Sequence, residues 1–252
     1  MPVKITPEVA DILSRSTIAG SILKLPEGQI ERSLYVNTDK VLKALGGKWD
    51  RRAGGHKFAA DPTAKVAAAL ENDHVVSRQQ ALQLFETPPA LAERLCQLLD
   101  IRQDDNCLEP SAGRGRILKA MADRNPQLII AIEIDPENGA QLETEGSQQQ
   151  LIIGDFLEHD PELLRSSAIA MNPPFSRNQD IRHVRHAYKC LEPGGRLAAI
   201  VSEHGFIGNE RECIEWRDWL ASLGAHIERV PADAFKASGT SVSTRIVSLR
   251  RG

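Results

Sequence analysis

The chain lacks the features that mark membrane-spanning, secreted or disulfide-stabilised proteins. No apolar stretch in its 252 residues approaches the length of a membrane span, and no basic head followed by an apolar run begins it. We therefore expect neither a membrane partner nor a signal peptide. The chain has four widely spaced cysteines, none in a CxxC pair: Cys96, Cys107, Cys190 and Cys213. This pattern favours reduced, mostly buried thiols in a cytoplasmic protein and no metal site.

Repeats and low-complexity tracts are also missing from the sequence. The length suits one large α/β domain with an appendage or two modest domains, and the 41% hydrophobic content supports a sizeable core. Polar residues interrupt the apolar pattern near 72–84. We therefore predict a small α/β unit over residues 1–76 and a larger domain over residues 77–252.

A strongly basic composition is the third missing feature. The net charge is −3, which argues against an extended nucleic-acid-binding coat. The charge is nevertheless uneven, because residues 1–84 carry 12 Lys and Arg against 9 Asp and Glu. Within 36–60 there are six basic residues against two acidic ones, and Lys48, Arg51 and Arg52 are the candidates for phosphate contacts. Charge alone does not separate such a phosphate-binding surface from an ordinary solvated face.

Local signals in the first 76 residues predict a mixture of helices and strands. Pro7 after Thr6 is typical of a helix start, with proline at the first helical position. A helical apolar stripe through Val41 ends at Gly46-Gly47, a natural helix stop. The segment Ala53-Gly54-Gly55 between two short extended stretches predicts a hairpin.

Strand and helix signals alternate in the larger domain. A helix is predicted over 88–99, capped by Thr87. Strand-like apolar runs follow it at 105–109, 128–134, 150–153, 167–171, 196–202, 226–230 and 243–249. Most are separated by helix-length segments, which predicts a Rossmann-like, doubly wound α/β sheet of seven strands. Because the last two runs are joined by a loop too short for a crossover helix, we expect the last strand to be antiparallel.

Polar residues stand at the ends of the predicted strands, where open α/β sheets bind their ligands. Glu109 closes the first strand, and Gly113 and Gly115 follow where a ligand or a helix can approach the backbone closely. Glu133 closes the second strand, and a carboxylate there can accept hydrogen bonds from ribose hydroxyls. Asp135, before a proline, is better explained as a helix cap.

The third and fourth strand ends complete the set. Asp155 can accept from an adenine amino group, with Phe156 packing on the ring; a capping Asp and a core Phe are the plain alternative. The fourth strand ends in Asn172-Pro173-Pro174-Phe175, a stiff turn in which the prolines supply no amide donors. The Asn172 side-chain oxygen and the Pro173 carbonyl can both accept from one NH2 group and so aim its lone pair. Phe175 offers a stacking face for a flipped base.

Residues 85–249 resemble the class I S-adenosylmethionine (SAM)-dependent methyltransferases that carry an Asn-Pro-Pro-aromatic motif and act on amino groups. With Phe85-Glu86-Thr87-Pro88-Pro89 ahead of the glycine motif, the chain order resembles the N6-adenine DNA methyltransferases, especially small phage- and plasmid-borne ones. The resemblance implies methyl transfer from SAM to adenine N6 in DNA. It also implies roles for particular residues. In this resemblance, the methionine part of SAM is contacted by Thr87, Glu109, Gly113 and Gly115. The ribose is contacted by Glu133, and the adenine by Asp155 and Phe156. Pro110, Ala112 and Ile134 complete the implied cofactor site, and Asn172 to Phe175 hold the target base.

Other substrates remain compatible with the same motif. The Asn-Pro-Pro-Phe motif also occurs in methyltransferases of guanine N2 in RNA and of glutamine in proteins. The motif therefore indicates an sp2 amine as the methyl acceptor but does not identify the molecule that carries it. Adenine in RNA is a further alternative, and a non-catalytic SAM- or DNA-binding subunit is the least favoured one. The basic segment favours a nucleic acid, most of all DNA, as the partner.

Three segments are candidates for reading the target. They are the basic segment 36–60, the loop 176–186 with Arg177, and the loop 231–242 with Lys236. His183 and His186, three residues apart, are expected on a solvated helix face rather than at a metal. Trp216 and Trp219 share a predicted helix, where core packing is favoured over base stacking.

Overall fold

The computed structural model describes residues 3–72, 74–75, 86–142, 148–231, 233–235 and 242–252. The chain forms two compact units, Met1–Gln83 and Leu84–Gly252, here called the N-terminal and C-terminal units. The domain boundary predicted between residues 76 and 77 lies outside the described residues, as do two of the predicted functional positions, Phe85 and Lys236.

The N-terminal unit combines short helices with two small antiparallel sheets. The helices are α1 (Pro7–Ser14), α2 (Arg32–Ala44) and α3 (Thr63–Glu71). The strands are β1 (Val3–Lys4), β2 (Thr17–Ala19), β3 (Ile22–Lys24), β4 (Lys48–Asp50), β5 (Gly55–Lys57) and β6 (His74–Val75). One sheet pairs β1 with β6, and the other has the order β2-β3-β5-β4.

The local signals predicted for this unit match the start of α1, the end of α2 and one hairpin. Thr6 caps α1 by accepting a hydrogen bond from the Val9 backbone N–H, and α2 ends just before Gly46, whose φ is +98°. The predicted hairpin is formed by β4 and β5. Leu23 of β3 and Leu42 of α2, both fully buried, lie in the apolar core of this unit.

The C-terminal unit contains the predicted seven-stranded sheet. Its strands are β7 (Asn106–Glu109), β8 (Leu128–Glu133), β9 (Gln149–Ile153), β10 (Ser166–Met171), β11 (Leu191–Ser202), β12 (His226–Arg229) and β13 (Thr244–Arg250). The helices are α4 (Pro89–Leu99), α5 (Arg116–Ala122), α6 (Pro136–Gly139), α7 (Gln179–Cys190), α8 (His204–Ile207) and α9 (Arg211–Ser222). Short 3-10 helices span Phe156–Glu158, Pro161–Leu164 and Ser176–Asn178.

The strand order of this sheet is β12-β13-β11-β10-β7-β8-β9. Pairing is parallel from β11 to β9, whereas β13 runs antiparallel to both β11 and β12. The predicted α/β class and the antiparallel last strand are therefore confirmed. The order reverses between β7 and β10, which is the position where doubly wound sheets bind ligands.

Two apolar layers cover the two faces of the sheet. One cluster contains Leu95 of α4 and Met121 of α5, and the other contains Val184 of α7 and Trp216 of α9. Because both faces are covered, the central strands contain uninterrupted apolar runs, such as 128–132 in β8 and 168–171 in β10, rather than alternating residues. All four cysteines are buried free thiols, and burial raises the pKa of Cys96 and Cys107 to about 12.

Two local details differ from the predictions. The residue that caps α4 is Pro88, and Thr87 makes no capping hydrogen bond. Strand β11 begins at Leu191, five residues earlier than predicted, with a register shift against β10 between Ser166 and Ala168. Within the described ranges, no helix is both long and apolar enough to cross a membrane.

Candidate active site

The candidate residues of the C-terminal unit meet at one edge of the sheet. Strands β10, β7, β8 and β9 are parallel neighbours, and Glu109 of β7 is level with Ala131, two residues before Glu133 at the end of β8. Asn172 follows directly on β10, whose Ile169 pairs with Leu108 of β7. The carboxyl ends of these strands therefore bring Glu109, Glu133 and Asn172 to the same edge.

The loop 110–115, the glycine loop, needs both of its glycines for different reasons. Gly113 and Gly115 have φ values of +55° and +76°, which side chains rarely adopt. A Cβ at Gly115 would lie 2.9 Å from Leu142 Cδ2, so close packing also requires glycine there. At Gly113 the nearest atom would be 3.9 Å away, so the space beside it is open to a ligand.

Glu133 anchors the glycine loop. Its Oε2 accepts a hydrogen bond from the Gly113 backbone N–H at 2.6 Å, and its Oε1 accepts from the Asp135 N–H at 2.9 Å. The side chain is 3% exposed, and burial raises its pKa. Sequence reasoning did not anticipate this contact, which joins positions 20 residues apart. Asp135 caps α6 by accepting from Glu137 N–H, as predicted.

Glu109 is a buried carboxyl with an unsatisfied atom. It is 1% exposed, and its Oε2 has no hydrogen-bond partner among the described residues. Burial first, and the nearby Glu133 second, hold the pKa of Glu109 well above its usual range, while a hydrogen bond from the Leu118 backbone opposes them. A cation or a hydrogen-bond donor beside this carboxyl would lower its pKa and satisfy it.

The remaining predicted cofactor positions, Ile134, Pro110 and Ala112, differ in exposure, and Ile153 was not among the predicted ones. Ile134 and Ile153, after β8 and at the end of β9, are 53% and 46% exposed and present apolar side chains at the carboxyl edge. Pro110 and Ala112 are buried, and the Ala112 N–H donates to the Ile132 carbonyl at 2.9 Å, which fixes the start of the glycine loop.

Asp155 and Phe156 have the local contacts of a cap and a core residue. Asp155 Oδ1 accepts from the Leu157 N–H at 2.9 Å. Phe156 is 2% exposed, and its ring centroid lies 4.8 Å from that of His186. The ring of Phe156 is therefore packed inside the unit.

Asn172 is held by the segment that precedes α4. Its Nδ2 donates a hydrogen bond to Thr87 Oγ1 at 3.0 Å, and Thr87 is 7% exposed. The neighbouring Glu86 forms ion pairs with Arg116 and Arg114 on either side of the last glycine. Residues 86–88 therefore connect the glycine loop to the Asn-Pro-Pro-Phe turn, and the contact with Thr87 orients the amide of Asn172.

The chain is strained immediately after this turn. Arg177 and Asn178 have φ values of +53° and +56°, a conformation that is uncommon for residues other than glycine and that clusters at functional sites. Asn178 Nδ2 donates to Glu212 Oε2 at 2.9 Å, which holds this conformation. Arg177 is exposed, and the half-buried Phe175 packs against the core two residues before it.

The histidines of α7 correct one prediction. His183 is not on a solvated face, because it is 6% exposed and its burial lowers its pKa. It packs near Phe156, and His186 Nε2 hydrogen-bonds with the His159 carbonyl. The spacing of three residues correctly placed His183 and His186 on the same side of the helix. The sequence did not reveal that Phe156 packs against this side. Trp216 is fully buried, as predicted for core packing.

Asp180 is a buried carboxylate that sequence reasoning left without a role. It is 1% exposed, and its Oδ2 accepts from the Ser202 backbone N–H at 2.7 Å. Burial raises its pKa, although the hydrogen bonds from Ser202 oppose the shift. This contact ties the first turn of α7 to the end of β11 beside the candidate site.

One group of described residues has the spacing of metal ligands, namely His204, Glu210 and Cys213. Glu210 Oε1 lies 3.2 Å from His204 Nε2, a hydrogen-bonding distance. Burial, and then the hydrogen bond with Glu210, raise the pKa of Cys213 and disfavour the thiolate that a metal would need. The contact between His204 and Glu210 is sufficient to explain this group.

The predicted nucleic-acid contacts Lys48, Arg51 and Arg52 belong to the N-terminal unit. All three are exposed, on β4 and on the turn that joins it to β5. Asp50 shapes this turn, because its Oδ1 accepts from the N–H groups of Arg52 and Ala53 at 2.8 and 3.0 Å.

Comparison of sequences finds one curated relative. It is the type II methyltransferase M.CvrRI of Paramecium bursaria Chlorella virus XZ-6E, 29% identical over 109 residues. The match spans 42% of this chain and 28% of that protein, so less than a third of the relative is represented. No protein-family model matches the chain.

Solved structures share the fold. A type I restriction-modification methyltransferase subunit from Streptococcus thermophilus has a TM-score of 0.58 at 20% identity, covering 67% of this chain and 45% of that one. The M protein of the type I restriction enzyme EcoKI has a TM-score of 0.54 at 19% identity, covering 96% and 56%. A Pyrococcus horikoshii protein described as a candidate RNA methyltransferase has a TM-score of 0.50 at 18% identity, covering 68% and 88%. The chain therefore has the Rossmann-like fold of the methyltransferases, and the resemblance to them that its motifs predict is confirmed.

Proposed function

We propose that this chain transfers a methyl group from SAM to the exocyclic N6 of adenine in DNA. The observation that carries the proposal is the hydrogen bond between Asn172 and Thr87, 3.0 Å long. It joins the Asn-Pro-Pro-Phe turn to the segment that Glu86 ties to the glycine loop. A cofactor loop and an amine-binding turn are thus linked at the switch point of a parallel sheet, as a reaction between two ligands requires.

The carboxyl edge fits SAM in three respects. Glu109 has a buried, unsatisfied oxygen, which suits the positively charged methionine part of the cofactor. Gly113 leaves open space beside a backbone that only glycine readily adopts. Ile134 and Ile153 offer exposed apolar side chains for an adenine ring. We assign Glu133 to the ribose and Asp155 to the adenine amino group, with Phe156 supporting that wall from the core.

Bound SAM supplies an electrophilic methyl group. The chain's own residues have to present the amine to it in line. The Asn172 side-chain oxygen and the Pro173 carbonyl each accept a hydrogen bond from one N–H of the same NH2 group. These two hydrogen bonds draw the nitrogen lone pair out of conjugation. Thr87 keeps the Asn172 amide turned so that its oxygen faces the amine. This alignment, and the stabilisation of charge that develops on the nitrogen, are the catalytic contribution of the turn.

No general base is required before attack, because an aligned amine lone pair is already nucleophilic. The excess proton leaves to water after transfer. A base inside a duplex has to leave the stack to reach the turn, and Phe175 offers a face on which the flipped ring can rest. The similar proteins named as parts of restriction-modification systems favour DNA as the polymer.

The test is transfer of tritiated methyl from SAM to duplex DNA, single-stranded DNA, RNA and protein in parallel, followed by nucleoside and amino-acid analysis. We expect N6-methyladenine in DNA. Label on guanine or on RNA would move the substrate while keeping the amine chemistry. SAM binding without label on any polymer would contradict the proposed reaction and point to a binding subunit.

A further inference from the structure

The four-stranded sheet of the N-terminal unit has two unlike faces. Leu23 and His56, both fully buried, point to the apolar core of the unit. Side chains alternate along a strand, so the residues next to them point to the opposite face. There the exposed side chains of β3, β4 and β5 are Lys24, Lys48 and Lys57, here called the lysine face.

The strand register brings these three lysines together. Lys48 of β4 pairs directly with Lys57 of β5. On the other side of β5, Lys57 pairs with Ile22 of β3, so Lys24, two residues after Ile22, is a diagonal neighbour of Lys57 on the same face. A Cβ atom added at Gly55 would lie 3.0 Å from Lys24 Cγ, so the aliphatic part of the Lys24 side chain lies over this glycine. Three exposed lysine side chains therefore stand on neighbouring positions of one sheet face.

This arrangement is unfavourable for the sheet by itself. Like charges directly opposite each other destabilise a strand pair. Within the described part of the chain, none of the three lysines forms an ion pair. The acidic residue on the same face, Asp50, attracts Lys57 electrostatically, but its carboxylate also accepts hydrogen bonds from the N–H groups of Arg52 and Ala53 and so holds the turn. An external anion would remove the repulsion.

The turn extends the same charge. Arg51 and Arg52 are exposed at its tip, three and four residues after Lys48 in the chain. Asp50 caps the backbone of this turn, and the side chains of both arginines are exposed. A row of cations that begins at a flat sheet face and continues onto a protruding turn matches a row of phosphates better than a single small anion.

We propose that the lysine face, with Arg51 and Arg52 at its rim, binds the phosphate backbone of duplex DNA and so holds the substrate for the C-terminal unit. The choice of DNA rests on the proposed function. The contact is independent of base sequence, because ammonium groups on a flat sheet reach phosphates and enter no groove. Its role is to raise the affinity for the polymer, while the flipped adenine is selected elsewhere.

Fluorescence anisotropy of a labelled DNA duplex with the full chain, at several salt concentrations, tests the proposal. The variant carries Lys24→Gln, Lys48→Gln and Lys57→Gln. The matched control carries Lys4→Gln, Lys40→Gln and Lys65→Gln, which remove the same charge from exposed positions on β1, α2 and α3. Losing three phosphate contacts should reduce the slope of log affinity against log salt by about 2.7. Affinity at about 0.1 M salt should fall on the order of 100-fold, with the control much closer to wild type.

Equal losses in both triple variants, or an unchanged slope in the first, would overturn the proposal. A duplex RNA of the same sequence is measured alongside, and tighter binding of RNA through the lysine face would overturn the assignment to DNA. Circular dichroism and SAM titration verify that each variant is folded. DNA binding through this face without methyl transfer would contradict only the proposed reaction, and methyl transfer with an inert lysine face would contradict only this inference.

Discussion

The two units carry their candidate functional groups in opposite electrostatic settings. In the C-terminal unit these groups are carboxyls at strand ends, with Glu109 and Glu133 only 1% and 3% exposed. In the N-terminal unit they are exposed lysines on a sheet face, of which Lys48 and Lys57 stand directly opposite each other. Both arrangements cost stability while no ligand is bound, the first through an unsatisfied buried oxygen and the second through repulsion. In each unit the proposed ligand site coincides with a locally unfavourable arrangement of charged or polar groups.

The setting decides how large a single contribution can be. Buried groups interact in a medium of low effective dielectric, where one hydrogen bond or charge has a strong and specific effect. Exposed charges are screened by water and salt, so each one contributes little and affinity requires several. We therefore expect single substitutions at the carboxyl edge to have large effects and single substitutions on the lysine face to have small ones.

The largest effect is expected for Asn172→Ala. Removing one preorganised polar contact of a transition state costs about 3 kcal/mol, or on the order of 100-fold in kcat. SAM affinity should stay close to wild type, because the amide is assigned to the target amine. Single-turnover methylation of duplex DNA and SAM titration calorimetry measure the two quantities.

Asn209→Ala is the matched control, since Asn209 is exposed. It should leave kcat within about twofold of wild type, as most surface substitutions do. A parallel loss of SAM affinity and turnover in Asn172→Ala would make the side chain structural and would remove the proposed division between cofactor and amine sites.

Glu109→Gln should weaken SAM binding and stabilise the free protein. A hydrogen bond involving a charged group contributes about 1.5–3 kcal/mol, which sets the expected loss of affinity. The stability effect follows from the pKa of Glu109, which burial raises above its ordinary value of 4.5. Between that value and the raised one, the folded chain keeps a proton that the unfolded chain has released. The free energy of unfolding therefore falls as pH rises through this window.

Thermal unfolding from pH 4 to pH 8 checks the sign. The Tm gain of Glu109→Gln over wild type should be absent near pH 4 and grow towards neutral pH, reaching about 2–4 °C per kcal/mol of relieved penalty. Glu162→Gln, at an exposed glutamate, is the control for the lost charge. A variant that binds SAM normally would exclude this carboxyl from the cofactor site, whatever its stability.

Thr87 distinguishes two roles at the same edge. If it orients Asn172, Thr87→Val should lower kcat by about 0.5–1.5 kcal/mol, or roughly 2- to 12-fold, and leave the KM for SAM unchanged. Thr87→Ser, which retains the hydroxyl, should restore most of the rate. A raised KM for SAM with normal kcat would instead support the methionine contact that the motif resemblance implies.

The outcome at Thr87 illustrates what the sequence can and cannot specify. The strands were predictable because apolar runs such as 128–134 are bounded by turn residues, and the motif residues were predictable because they end those strands. The contact of Thr87 with Asn172 joins positions 85 apart in the chain. No local pattern carries it, and the local rule assigned the hydroxyl to a helix cap that Pro88 occupies.

The lysine face depends on pairing in the same way. The basic content of 36–60 was visible from composition, but Lys24 lies outside that segment and joins it only through the register of β3 with β5. His183 shows the reverse case, because its spacing was read correctly while its burial depended on Phe156 from another element. Local periodicity predicts which side of an element a residue occupies, and tertiary packing decides what covers that side.

The smallest effect is expected on the lysine face, for Lys57→Glu. The substitution replaces the repulsion between Lys48 and Lys57 with an attraction, which contributes about 0.2–1 kcal/mol for a directly opposed pair and outweighs the lost attraction between Lys57 and the more distant Asp50. The variant should therefore unfold at a slightly higher urea concentration than wild type, with the difference shrinking as salt screens the pair. Lys65→Glu, on the exposed side of α3, changes the net charge equally without touching this pair. If Lys57→Glu stabilises the chain and weakens duplex binding, the lysine face shows the same conflict between stability and ligand binding that we expect at Glu109. A destabilised variant would mean that the two ammonium groups already avoid each other, and the lysine face would lose its energetic reason to attract phosphate.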